Sequence, residues 1–310
     1  MKLKTLITSP AYFDSDAVKE FEKFSTVTVK QYSQEELFKH IAEFNILAIR
    51  VDTTVNKHLL DAATNLKVIA TATTGTDHID IEYAKKKGIE IISLQGANTI
   101  ATAEHTLALL LTLVRKIPTA HASLLRGEWN RAAYIGTELS GKKLGIVGFG
   151  RIGRDIAARA RAFGMEILAY DPYLKPEDFT QQHATQKDMN TLLKEADVIT
   201  LHVLLTPETK GMMNKEKLSL LKPNAILLNC SRGEVVLEKD LIEALEQKKI
   251  AGAALDVFPE EPLKQTSPLI AYAKAHDNLI LTPHIAGSTH EAIHHAGLYV
   301  ATKTKEFLKG

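Results

Sequence analysis

Cysteine is almost missing from this 310-residue sequence: Cys230 stands alone, which excludes an intrachain disulfide. Its setting, NAILLNC, is apolar, so the thiol reads as buried and inert in a reducing compartment. An excess of either charge is missing too. With 38 Lys and Arg against 37 Asp and Glu, and no long basic run, the chain has no electrostatic footprint for nucleic acid or for an anionic membrane. A small soluble partner is the default that remains. Long apolar stretches are also lacking. The opening MKLKTLITSPAYFDSD is broken by Lys4 and then by acidic groups, too short for a signal segment, and nothing later approaches a membrane span. The expected location is the cytoplasm, with no membrane partner. Short repeats and low-complexity linkers are absent as well.

What fills the chain instead is alternation. The β-type runs KTLIT, STVTVK, ILAIR, LKVIATAT and IEIIS come first, separated by stretches of helical spacing such as DAVKEFEKF and SQEELFKHIAEF. After the long helical stretch TAEHTLALLLTLVRKI the pattern restarts with KLGIVGFG, EILAY, VITLHV, AILLNCS, AGAALDVF and LILTPH. Strand and helix in alternation imply right-handed βαβ units and parallel sheets. Two such series predict an α/β protein of two doubly wound parallel-sheet domains, one of about five strands and one of about six or seven.

Within the restart lies GKKLGIVGFGRIG, residues 141–153. Gly148 permits a tight turn, Gly150 lets backbone approach a pyrophosphate, and Gly153 lets helix and strand pack closely, while Arg151 and Ile152 begin the helix whose N–H groups face the anion. Such a motif is weak by itself. Here strand, helix and a second strand, MEILAYD, fall where a dinucleotide-binding unit needs them. Asp171 ends that second strand, placed to accept from a ribose diol and to repel a 2′-phosphate, so the expected cofactor is NAD.

Polar groups then recur at the ends of apolar strands, where open α/β sheets bind ligands. AILLNC leads to Arg232, AGAALDVF carries Asp256 and runs on to Glu261, and LILTPH ends in His284. A guanidinium can fork onto a carboxylate and an adjacent carbonyl. An imidazole can move a proton while a carboxylate holds it, the division of labour that carbonyl reduction needs. Taken singly each residue also serves in surface ion pairs or loops; together they point to a site.

The runs GTELSGKKLGIVGFGRIGRDIA, LHVLLTPETKGMMN, LLNCSRGEVV, GAALDVFPEEP and LTPHIAGST together resemble the D-isomer-specific 2-hydroxyacid dehydrogenase family. That resemblance covers nearly the whole chain. It implies a Rossmann NAD-binding domain, residues 99–286, inserted into a flavodoxin-like substrate domain made of residues 1–98 and 287–310. It also implies the short form, without the regulatory domain of long phosphoglycerate dehydrogenases. By the same resemblance Arg232 binds substrate and polarises its carbonyl, Glu261 partners the histidine, and His284 is the acid/base. Asp256 is placed at the nicotinamide end, with Thr102 and His202 as further cofactor contacts. The loop TTGTDHID, residues 73–80, is the carboxylate cradle, which singles out Thr74 and Gly75. Arg50 and Arg131 stand where the phosphoglycerate branch is basic, but Thr71 replaces the arginine usual there, leaving the 2-hydroxy or 2-keto acid substrate open. A non-catalytic NAD-sensing protein of the same architecture stays open as the second reading.

Two further expectations concern helices. His290-Glu291-Ala-Ile-His294 spells H-E-x-x-H, the zinc-protease signature, but no third ligand completes it. It reads instead as a helix start, Ser288 to Glu291 forming an S-x-x-E capping box with His290 and His294 facing outward; no metal is expected. The stretch TAEHTLALLLTLVRKI is apolar around most of its circumference, which predicts burial by a second subunit in a symmetric homodimer.

Overall fold

The computed structural model describes residues 2–94, 96 and 98–309. The chain divides into two compact units, residues 1–98 with 287–310, and residues 99–286.

In the first unit five parallel strands, β1 (Leu3–Ile7), β2 (Ser25–Val29), β3 (Ile46–Ile49), β4 (Val68–Thr71) and β5 (Glu90–Ser93), lie in the order β2-β1-β3-β4-β5. This is the flavodoxin-like order. Every residue of β3 and β4 is buried, because a parallel sheet is covered on both faces. One face packs Leu37, Ile41, Leu59 and Leu60. The other packs Phe13, Ala17 and Phe21 together with Ala296, Val300 and Ala301 of the helix His290–Phe307. Gly297 permits that approach, since a Cβ there would lie 2.7 Å from Cβ of Ala17.

The cap of this last helix differs from the sequence expectation. Thr289, not Ser288, accepts from an amide of the first turn, that of Ala292, at 3.1 Å. The helix begins one residue later than S-x-x-E spacing implies, and Glu291 falls in its first turn. Nor does His294 simply face outward: its Nδ1 lies 2.6 Å from Asp14 Oδ2.

The second unit holds seven parallel strands: β6 (Lys143–Val147), β7 (Glu166–Tyr170), β8 (Thr185–Gln186), β9 (Val198–Leu201), β10 (Ile226–Asn229), β11 (Gly252–Leu255) and β12 (Leu279–Leu281). Their order is β12-β11-β10-β9-β6-β7-β8. The order reverses between β6 and β9, the doubly wound Rossmann pattern. The helix Thr99–Val114 packs on one face beside the helix Arg151–Ala162, burying Leu107, Leu109, Leu110 and Val114. Its apolar circumference is thus covered largely within its own unit. Exposed apolar side chains follow it instead: Leu124, Leu125, Trp129 and Ile135 are each more than half exposed.

Candidate active site

At the switch point β6 runs into Gly148, whose φ is +91° and where a Cβ would lie 2.4 Å from the His202 carbonyl oxygen. No L side chain fits that turn. A Cβ on Gly153 would in turn lie 2.4 Å from the Gly148 carbonyl oxygen, so helix and turn are in direct contact. Beside Gly150, by contrast, a Cβ would meet nothing within 4 Å. Gly150 is the N-cap of the helix Arg151–Ala162 and gives its first amides no side-chain partner, leaving donors for an anion at the positive end of the helix. Asp171, just past β7, accepts from the Phe149 amide (2.9 Å) and the Tyr173 amide (3.1 Å). It is held at the rim of the loop with further acceptor capacity. Arg151 is exposed, and Ile152 packs partly into the core.

His202 follows β9. Its Nε2 lies 2.7 Å from Thr200 Oγ1 while its Nδ1 is buried with no hydrogen-bond partner. Burial pushes its pKa down to about 3, so the ring is neutral. A close-approach glycine, a helix start with free amides and an orphaned ring nitrogen at the switch point together fit a dinucleotide. Thr102 is not presented in the same way: it is buried in its helix, its carbonyl accepting from Thr106 Oγ1.

The strand ends β10, β11 and β12 carry the second group. Asn229 shapes the first, its Oδ1 accepting from the Ser231 amide and hydroxyl and its Nδ2 donating to the Arg232 carbonyl. Arg232 Nη1 donates to the Ser231 carbonyl at 2.6 Å. Next to it, a Cβ on Gly233 would lie 2.0 Å from the Phe258 carbonyl carbon, so the loops after β10 and β11 are pressed together. Glu261 accepts the Phe258 amide on Oε1 (3.0 Å) and meets His284 Nδ1 with Oε2 (2.7 Å). With the carboxylate ionised, Nδ1 carries the proton and Nε2 is left for a substrate. Both side chains are about 30% exposed, and an apolar hollow of about 350 Å³ lies beside them, lined by Phe258, Pro262, Leu263 and Ile270 among others.

His284 has a φ of +52°, a left-handed conformation that costs a non-glycine residue of order 1–3 kcal/mol and persists only where neighbours enforce it. Its amide donates to the carbonyls of Asp256 (2.8 Å) and Thr282 (3.0 Å). Asp256, expected to face the nicotinamide, is fully buried with its carboxylate turned into the protein. It accepts from Thr282 Oγ1 (2.6 Å) and from the amides of Ile285 (3.0 Å) and Ala286 (2.8 Å). His105 Nε2 lies 3.4 Å from the same carboxylate and 3.2 Å from Thr282 Oγ1. Sequence reasoning gave no role to His105, Thr282 and Asn229, although each lies in a run it quoted, because their partners come from elsewhere in the chain or from the turn geometry.

In the first unit, Thr73 Oγ1 donates to the Gly75 carbonyl (2.7 Å) and contacts Thr71 Oγ1 (2.7 Å). Thr74 Oγ1 donates to Asn98 Oδ1 at 3.2 Å. The loop around Thr74 and Gly75 is therefore braced by hydroxyls. Arg50, just past β3, has its guanidinium 4.1 Å from the centre of the Tyr12 ring, and its Nε is buried with no partner. Arg131 is exposed. Among the described residues no cluster of His, Cys, Asp and Glu is arranged to hold a metal ion.

Comparison with known proteins adds to this geometry. Residues 107–286 match the NAD binding domain of the D-isomer specific 2-hydroxyacid dehydrogenases. The chain is 44% identical to D-3-phosphoglycerate dehydrogenase of Methanocaldococcus jannaschii, over 99% of this chain and 58% of the relative. It is 42% identical to glyoxylate reductase of Thermococcus litoralis, over 100% of this chain and 95% of the relative. It is also similar to the crystal structure of D-lactate dehydrogenase from Aquifex aeolicus complexed with NAD and lactic acid, with a TM-score of 0.86 and 32% identity over 99% and 96% of the two chains. The chain spans about half the length of the phosphoglycerate dehydrogenases it matches, from 49% to 58%. With its glycine-rich turn at the switch point of a Rossmann sheet, and above 40% identity along its length to a relative of matching extent, the chain belongs to the D-isomer specific 2-hydroxyacid dehydrogenase family.

Proposed function

We propose that this protein is an NAD-dependent oxidoreductase interconverting a D-2-hydroxy acid and its 2-keto acid. The observation that carries the reading is the Glu261–His284 pair, 2.7 Å apart at the strand ends of an NAD-binding unit. NAD, when bound, supplies or accepts the hydride. His284 gives its Nε2 proton to the carbonyl oxygen in the reductive direction and takes it back from the hydroxyl in the oxidative one, while Glu261 steadies the charged ring. Arg232 forks onto the substrate carboxylate and the reacting oxygen, which orients the carbon and favours the build-up of negative charge there. We assign the amides of Thr74 and Gly75, in the first unit, to carboxylate binding as well.

Arg50 supports an anionic substituent beyond C2, because a buried guanidinium nitrogen without a partner is a costly group that an anion would satisfy. This favours 3-phosphoglycerate and its keto acid as the pair, in line with the name of the M. jannaschii relative. The test follows NADH absorbance while 3-phosphohydroxypyruvate, hydroxypyruvate, glyoxylate and pyruvate are added in turn. Turnover is expected with the phosphorylated acid leading, and Arg50→Ala should raise its KM more than that of glyoxylate. Tight NADH binding without turnover of any acid would replace this reading with a nucleotide-sensing role.

We further infer a homodimer, supported by the exposed Leu124, Leu125, Trp129 and Ile135, large apolar side chains of the kind that a symmetric interface buries. A monomeric mass by light scattering at micromolar concentration would refute it. A reducing, cytoplasmic setting agrees with the single Cys230, whose thiol burial pushes up to about 12.

A further inference from the structure

We propose that His105 is a positioning residue for His284, acting through the buried carboxylate of Asp256. The inference rests on the dehydrogenase reading for its meaning but on separate groups for its evidence. His284 occupies a left-handed backbone conformation, and the contacts that flank this turn converge on Asp256. The Asp256 carbonyl takes the His284 amide. Its carboxylate takes the Thr282 hydroxyl two residues before and the Ile285 and Ala286 amides just after. One fully buried side chain therefore staples both flanks of the residue that presents the imidazole.

A buried carboxylate can do this only as an anion with enough donors around it. Burial alone would push the Asp256 carboxyl up. The His105 and Thr282 side chains and the two amides outweigh that and hold it below the ordinary carboxylate range. Of these donors His105 comes from another element, the helix Thr99–Val114. Its Nε2 reaches both Asp256 Oδ1 (3.4 Å) and Thr282 Oγ1 (3.2 Å). With only 18% of its side chain exposed, it joins the staple to a helix that is packed against the sheet. Without that donor the carboxylate is under-satisfied, Thr282 is free to turn, and the imidazole loses its fixed place beside Glu261.

His105→Leu and His105→Gln test this, the second keeping a donor at similar reach. The leucine variant is expected to lose about 10-fold or more in kcat for keto-acid reduction, as a small misplacement of a reacting group does, with KM and NADH affinity within about twofold of wild type. The glutamine variant is expected to recover most of the loss. Ring-nitrogen NMR of His284, assigned with His284→Ala, should show Nδ1 moving away from its carboxylate-bonded position in the leucine variant and not in the glutamine one. That reading holds even if no tested keto acid is turned over, which would count against the proposed reaction alone. Should the leucine variant not fold, Thr282→Val, which removes the bridging hydroxyl with little change of shape, carries the same expectations. Unchanged kcat and unchanged ring signals overturn the proposal, as does a loss that follows a lower melting temperature with the ring signals in place, or one that glutamine does not rescue.

Discussion

A single imidazole can tie stability to pH when folding buries it. His202 stays neutral down to about 3 in the fold, whereas a histidine in an unfolded chain takes up its proton near pH 6.5. The unfolded state thus binds more protons below about 6.5, and stability falls as pH drops from there toward 3. The residue as a whole is only part-buried, so we set the effect at about 1 kcal/mol between pH 7.5 and 5.0. His202→Gln should lose that much less stability over the interval in urea denaturation; equal losses in both proteins would refute it. The Glu261–His284 contact has its own test. Glutamine at 261 keeps a hydrogen bond to the ring but removes the negative charge beside it. Keto-acid reduction, in which the ring gives up its proton, should then lose about 10-fold or more in kcat with little change in KM. A kcat equal to that of the wild type would mean that the pair does not work as described.

At the scale of elements, the turn after β6 is the most constrained piece. Gly148 combines a φ of +91° with a carbonyl 2.4 Å from where a Cβ would sit. Gly148→Ala should therefore cost about 1–3 kcal/mol and weaken NADH binding severely, readable by thermal melting and by NADH fluorescence titration. An alanine variant with wild-type melting and affinity would show that the turn has more room than its backbone implies. Eleven of the twelve strands correspond to runs plain in the sequence, most clearly the central ones that are buried on both faces. The exception, β8, is the two-residue edge strand Thr185–Gln186, and HATQK offers no apolar run to reveal it. Alternation also announces parallel strands without fixing their lateral order, which depends on which face each crossover helix covers. The Ser288 and Thr289 caps were indistinguishable by residue type, since both carry a β-hydroxyl and only the backbone decides which one starts the helix. In the site, Arg232, Glu261 and His284 stood out as polar residues ending apolar runs. The inward turn of Asp256 did not, because its partners lie up to 151 positions away, at His105.

For the molecule as a whole, the second unit is one unbroken stretch while the first is assembled from two. Residues 99–286 expressed alone should melt cooperatively and keep NADH binding, since the unit's core and glycine turn are internal to it. Residues 1–98 alone should not fold, because the face formed by Phe13, Ala17 and Phe21 lacks the helix His290–Phe307 that covers it. Circular dichroism melts of both fragments decide the matter, and a cooperative transition in residues 1–98 would contradict it.

That divided first unit also sets a timetable. As the chain leaves the ribosome β1 to β5 emerge before the second unit, yet the helix that closes one side of their sheet is separated from them by the whole of that unit. At usual elongation rates the wait is roughly 10–40 s, during which Ile7, Phe21, Val68 and Ala70 have no lasting cover on that side. The growing chain therefore depends on transient protection, by a holding chaperone or by temporary contacts of its own, until the helix His290–Phe307 has emerged.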